Sequence, residues 1–231
     1  MSQRRSTVNT VDVVVNDRGF AVVDVETTGF SPERDRIVEV AVVLLDPFGR
    51  QTRAFDTLVD PGRDPGPTHI HRITASMLEG SPSFTAIHPY LAQQLSGRVL
   101  VGHNLDQFDL PFLRSECVRT GGDMVVPGEL VTVDTLVVAQ VLLGLRGKAR
   151  LVECCAHFGL RWGSHHTALG DALVTASLFT SMWSTLGGPV LDLPDLLDRA
   201  SATAWPGGSD LDPVVSVRIP TLRRPSTTTT L

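Results

Sequence analysis

Residues 19–29, GFAVVDVETTG, restrict the fold and the chemistry more than any other stretch of this chain. Gly19–Glu26 is apolar and β-branched through Val23, which predicts a strand buried in a sheet. The strand then closes on Asp24-Val25-Glu26. Side chains at i and i+2 of a strand share a face, so two carboxylates stand side by side at the edge of a core. Their repulsion and desolvation call for a compensating positive group, and oxygen ligands of this kind suit a divalent cation such as Mg²⁺ or Mn²⁺. The plainer alternative is a strand that surfaces at its acidic end. Thr27-Thr28-Gly29 follow at once. Their hydroxyls can donate to a sugar or phosphate, and the glycine admits close backbone approach to a ligand.

Arg36–Leu45 and Gln51–Asp60 predict two more strands, joined by a turn at Asp46–Arg50. With the first strand they form an antiparallel meander. The Pro- and Gly-rich residues 61–67 are a loop. The pattern then turns helical: a short piece at Ile73–Leu78 and a longer one at Phe84–Leu95. Arg98–His103 predicts a fourth strand, and Phe108–Thr120 a helix with Pro111 in its first turn. Val131-Thr132-Val133 is a short candidate for a fifth strand. Asp134 is placed as the N-cap of a helix ending near Leu143. Ala149–Phe158 and Gly170–Trp183 complete the helices, and residues 11–15, VDVVV, suggest a short additional strand. Beyond Gly187 the content of Gly, Pro, Ser and Thr rises. The expected organisation is an N-terminal extension over 1–17, one domain over 18–187, and a partly disordered C-terminal extension over 188–231.

Two further clusters carry candidate chemistry. Gly102-His103-Asn104-Leu105-Asp106-Gln107-Phe108-Asp109 lies where the fourth strand ends and a helix begins. Asp109 there could simply favour a helix N-terminus and Asp106 could cap it. His165-His166-Thr167-Ala168-Leu169-Gly170-Asp171 precedes the last helix. His166 and Asp171 are five residues apart, which is a rotation of roughly 140° on a continuous helix. They can face one site only if His166 lies on the loop and Asp171 on the helix. Taken singly, each of these residues has capping or surface exposure as its ordinary reading.

Taken together, FAVVDVETTG, VGHNLDQFDLPFL and HHTALGDALVTASLF resemble the three motifs of the DEDDh family of 3′→5′ exonucleases, the group related to the proofreading ε subunit of bacterial DNA polymerase III. The flanking IHRITASML and VDTLVVAQ resemble the family's linking segments, and the likeness spans about Gly19–Trp183. It implies a ribonuclease-H-like α/β fold, a mixed five-stranded sheet flanked by helices. It implies metal binding by Asp24, Glu26, Asp109 and Asp171, with two divalent ions, and His166 as the general base. It also implies contacts from Thr27, Thr28, Gly29, His103 and Asn104 to the 3′-terminal nucleotide. Three residues separate Asn104 from Phe108, where many members have two, so Asp106 competes with Asp109; the retained FDLPFL context favours Asp109. His165, six residues from Asp171, competes less well with His166.

Composition bounds this reading. The 231 residues carry a formal net charge of −5, which argues against coating nucleic acid by bulk charge but not against a nuclease. Two bound divalent ions would offset most of it. Neither a membrane span nor a secretory leader is evident. Cys117, Cys154 and Cys155 lack zinc-type spacing, so a reducing cytoplasm is expected, with Cys154-Cys155 in the core. The resemblance implies that the substrate is a nucleic-acid 3′ end, above all single-stranded or frayed DNA, met in proofreading or end trimming. Any DNA polymerase served would be a separate chain, because 231 residues leave no room for one. An RNA-trimming enzyme similar to ribonuclease T or oligoribonuclease is the alternative, although Thr27-Thr28 looks more like the proofreading branch than the oligoribonuclease one. A binding module that has lost catalysis would lack one of the five motif residues, and all five are present. His166→Ala is expected to lose far more activity than His165→Ala; steady-state rates of the two variants in the opposite order would move the base to His165.

Overall fold

The structure is a computed structural model that describes residues 18–121, 131–144, 149–161 and 167–186. Residues 11–15, His165, His166 and the C-terminal extension lie outside the described residues.

Among the described residues five strands form one sheet: β1 (Phe20–Thr27), β2 (Ile37–Leu45), β3 (Gln51–Leu58), β4 (Val99–Gly102) and β5 (Thr132–Asp134), in the order β3-β2-β1-β4-β5. β1, β2 and β3 pair antiparallel, as the short turns between them require, while β4 pairs parallel to β1 and β5 parallel to β4. This is the mixed five-stranded, ribonuclease-H-like sheet expected from the sequence. Seven helices are described: α1 (Thr68–His71), α2 (Ala75–Leu78), α3 (Phe84–Leu95), α4 (Asp109–Arg119), α5 (Thr135–Leu143), α6 (Leu151–His157) and α7 (Ala168–Thr185).

Strand alternation sorts the core into two layers. Phe20, Val22, Ala41, Val43, Leu45, Val99 and Val101 face α5, α6 and α7. Ala21, Val23, Val25, Val40, Val42, Leu44 and Leu100 face α3 and α4. Both faces of β1 and β2 are covered, which explains why their sequences read as continuous apolar runs rather than alternating ones. Phe20 is fully buried, tilted on Phe179 and edge-on to Trp183. Cys154 and Cys155 are buried in this layer as free thiols.

Local signals placed several boundaries well. Ser83 accepts from the Ala86 N–H and starts α3 at Phe84, and Asp134 accepts from the Leu136 N–H and starts α5. The expected helix at Ile73–Leu78 is shorter and split from α1. Arg72 takes a left-handed φ of 63° and Thr74 is extended, so Ile73 inserts alone against Val38 and Leu78 instead of joining a helical face. α7 starts at Ala168, two residues before the expected start, because Thr167 is extended and its hydroxyl accepts from the Gly170 N–H. β3 stops at Leu58, and Asp60 forms an isolated bridge with Ser83.

One buried ion pair ties α4 to the sheet. Glu116, 1% exposed, receives Arg36 Nε at 2.7 Å and Nη2 at 2.9 Å, with the Ile37 N–H and Arg119 alongside. A bidentate pair of this kind fixes direction as well as distance. It fastens the C-terminal half of α4 to the start of β2. None of the described helices is long and apolar enough to cross a membrane. Phe20→Ala is expected to cost about 3–5 kcal/mol of stability, read from urea denaturation midpoints; a cost under about 1 kcal/mol would mean that the Phe20 pocket collapses freely.

Candidate active site

Asp24 and Glu26 extend the row of β1 that begins with Phe20 and Val22, so they face α7. The first turn of α7 carries Asp171. Carboxylate oxygens of Asp24, Glu26 and Asp171 all lie within 4.8 Å of one another. Asp109 arrives from the opposite layer. It is the first residue of α4, and its Oδ1 accepts the Val25 N–H at 3.0 Å. The parallel pairing of β1 with β4 ends at Val22↔Val101, so the Val25 N–H lies beyond the ladder and needs another acceptor. The backbone between the two strand carboxylates thus holds the third motif carboxylate in place.

These groups line an open cleft of about 250 Å³. It lies at the carboxyl ends of β1 and β4, where the strand order reverses direction, the usual ligand position on sheets of this kind. Asp106 is not among the lining residues, whereas Asp109 is.

Crowding raises the proton affinity of the site. Burial pushes the Asp24 carboxyl well up, and Asp109, Asp171, Glu26 and Glu39 add repulsion. Burial likewise lifts Glu26 to about 7, with Glu39 and Asp171 contributing. Asp109 is raised by burial against the opposing effect of the Val25 hydrogen bond. An all-oxygen donor set that repels itself is suited to a hard divalent cation, so Asp24, Glu26 and Asp171 could hold one.

The surrounding loops are braced from inside the protein. Thr27 Oγ1 donates to the Gly29 carbonyl at 2.6 Å. Thr28 Oγ1 donates to Asp35 and accepts the Arg36 N–H, while Asp35 also takes the Ser31 N–H. Gly29 is required by this brace, because a Cβ there would run into the Asp35 carboxylate. Gly66, at φ 84°, packs directly on the Thr28 carbonyl, which only glycine permits. Asn104 sits in the left-handed region at φ 65°, and its N–H donates to Asp134 Oδ1 at 2.8 Å. Asp134 therefore caps α5 and holds the Asn104 loop at once, and burial lifts its carboxyl to about 6.

Among the described residues two histidines, His71 and His103, line the cleft, and both are committed to the fold. His71 accepts the Ile73 N–H at Nδ1 and donates from Nε2 to the Pro65 carbonyl, which defines a neutral ring. His103 donates from Nε2 to the Ala149 carbonyl and pairs through Nδ1 with Thr135 Oγ1. Burial lowers the proton affinity of both.

Sequence reasoning overlooked Glu39, Asp35 and the bracing role of Asp134. Glu39 did leave a signal, as the one charge in the apolar run IVEVAVVLL of β2. Asp35 left none, since an acid in a polar turn is ordinary.

Residues 21–179 match the Exonuclease family (RNase_T), and the chain belongs to that family. It is 38% identical over 170 residues to a DNA polymerase III subunit epsilon of Treponema pallidum, covering 71% of this chain and 75% of that protein. It is 32% identical over 178 residues to a PolC-type DNA polymerase III of Clostridium perfringens, covering 74% of this chain and only 12% of that one. Among solved structures, Exonuclease X in complex with 5′ overhanging duplex DNA superposes with a TM-score of 0.59 at 25% identity, over 78% of this chain and 99% of that one.

The raised carboxylates predict a pH dependence. Glu26 binds its proton more tightly folded than unfolded, so the stability of the metal-free protein should fall as pH rises from about 4.5 through about 7. Thermal unfolding at pH 5 and pH 8 should show the higher Tm at pH 5, a smaller difference in Glu26→Gln, and recovery of Tm at pH 8 on adding Mg²⁺. An identical pH difference in wild type and Glu26→Gln would contradict the assignment.

Proposed function

We propose that this chain, an exonuclease that removes nucleotides from the 3′ end of DNA, works by a two-metal mechanism centred on Asp24, Glu26, Asp109 and Asp171, with His166 as general base. The observation that carries the reading is the convergence of Asp24, Glu26 and Asp171 oxygens within 4.8 Å of one another. Asp24 would serve both ions, Glu26 and Asp171 would complete one site, and Asp109 would act at the other. Bound there, Mg²⁺ or Mn²⁺ would supply Lewis-acid activation of the attacking water and stabilisation of the leaving oxygen.

The chain's own residues do the rest. The attacking oxygen bonds to the terminal phosphorus, the P–O3′ bond breaks with its electron pair on O3′, which takes a proton from solvent to leave a 3′-hydroxyl on the shortened strand, and a nucleoside 5′-monophosphate is released. His166 takes the water's proton; a histidine with an ordinary pKa near 6.5 is largely neutral at physiological pH and can accept it. Among the described residues His71 and His103, the histidines of the cleft, already use both ring nitrogens in the fold, which supports His166 as the base. The Val25 N–H orients Asp109. Thr27, Gly29 and Asn104 line the cleft where the terminal sugar and phosphate would rest, beside Thr28 in the braced loop. Phe30, 78% exposed, stands 6.4 Å from Phe108 across ring centroids, and with Ile70 they make an apolar wall on which an unstacked base can lie.

Similarity to polymerase III epsilon subunits supports a proofreading or end-trimming role beside a polymerase in a separate chain. The test is a Mg²⁺-dependent assay on 5′-labelled single-stranded DNA, duplex DNA with a mismatched 3′ end, and RNA. The expected result is a ladder that shortens from the 3′ end on DNA, lost by at least about a thousandfold in a folded Asp24→Ala variant. Near-wild-type turnover in Asp24→Ala would overturn the metal assignment, and faster loss of RNA would move the substrate class.

A further inference from the structure

Glu39 lies outside the four motif carboxylates. It stands directly opposite Glu26 in the antiparallel β1–β2 register, on the face that carries Asp24 and Glu26. Every residue of β2 is buried, and Glu39 is its one charge. An apolar side chain would fill that place without desolvating a carboxylate beside three others. The cost is coupled to one contact: Glu39 Oε2 accepts the Ala168 N–H at 2.9 Å, across 129 residues of sequence. Ala168 is the first residue of α7 and is fully buried, so its N–H has no access to water. Asp171 follows three residues later, and its own N–H bonds back to the Thr167 carbonyl. The start of α7 is therefore pinned to β2 at the point where Asp171 must meet Asp24 and Glu26.

We propose that Glu39 is a positioning residue that sets Asp171 within the carboxylate cluster through its hydrogen bond to Ala168. The inference rests on the metal-dependent reading of the site. Glu39 is not among the residues that line the cleft; its part is to fix the register between α7 and the sheet. A glutamine retains the acceptor oxygen and an alanine does not, so the two substitutions separate the hydrogen bond from mere occupancy. Ala168→Pro deletes the N–H from the other side. Proline is tolerated at the first position of a helix, and Thr167 before it is already extended, at φ −131° and ψ 143°.

The experiment measures Mn²⁺ affinity by electron paramagnetic resonance, together with kcat and KM on a single-stranded oligonucleotide, for wild type, Glu39→Gln, Glu39→Ala, Ala168→Pro and Asp24→Asn. Glu39→Ala and Ala168→Pro should weaken Mn²⁺ binding by about tenfold or more and lower kcat with KM little changed. Glu39→Gln should stay within about threefold of wild type. Wild-type Mn²⁺ affinity in Glu39→Ala, or a loss in Glu39→Gln as deep as in Glu39→Ala, overturns the positioning role. Unchanged Mn²⁺ affinity in Asp24→Asn overturns instead the metal-site reading on which it rests.

Discussion

Carboxylates that repel one another can be gathered at one end of a strand only if the rest of the fold holds them there. That constraint organises the molecule around the end of β1. Asp24 and Glu26 are delivered by strand alternation, Asp171 by a helix from one layer, and Asp109 by a helix from the other. Each arrives with an anchor. Asp109 is held by the Val25 N–H, α4 by the Arg36–Glu116 pair, and α7 by Glu39. The two apolar layers supply the rigidity against which the repulsion is held, since close-packed cores do not deform continuously.

The energetic consequence is a site that is poor at being empty. Burial and mutual repulsion raise the proton affinity of Asp24, Glu26 and Asp109. The same arrangement would become favourable if a dication replaced the protons. Cation binding and folding stability would then be linked, because a ligand that binds only the folded state stabilises it by mass action. Local acidity also reconciles a net charge of −5 with a polyanionic substrate, since phosphate would be met through metal and not through a basic surface.

Much of this was legible in the chain. Asp-Val-Glu on an apolar strand specifies two carboxylates on one face, since the strand period is two. Ser83 and Asp134 announce the starts of α3 and α5 by capping chemistry that acts over three residues. The last helix was expected at Gly170, and α7 begins two residues earlier, at Ala168. Where local chemistry was overruled, packing decided: Ile73 left its helical pattern to fill a pocket beside Val38. His103 and Gly29 show the same limit. Both line the cleft, yet the His103 ring is engaged with Thr135 and Ala149, and what crowds Gly29 is Asp35.

The sequence by itself determined the elements, their caps and the residue types able to bind a hard cation, because these depend on periodicity and on contacts a few residues apart. Tertiary structure alone decided which of those residues meet. Val25 finds Asp109 across 84 residues, Arg36 finds Glu116 across 80, and Ala168 finds Glu39 across 129. No local pattern encodes such pairings. They follow from a buried N–H or charge that must be satisfied and from two packed layers that leave one partner within reach.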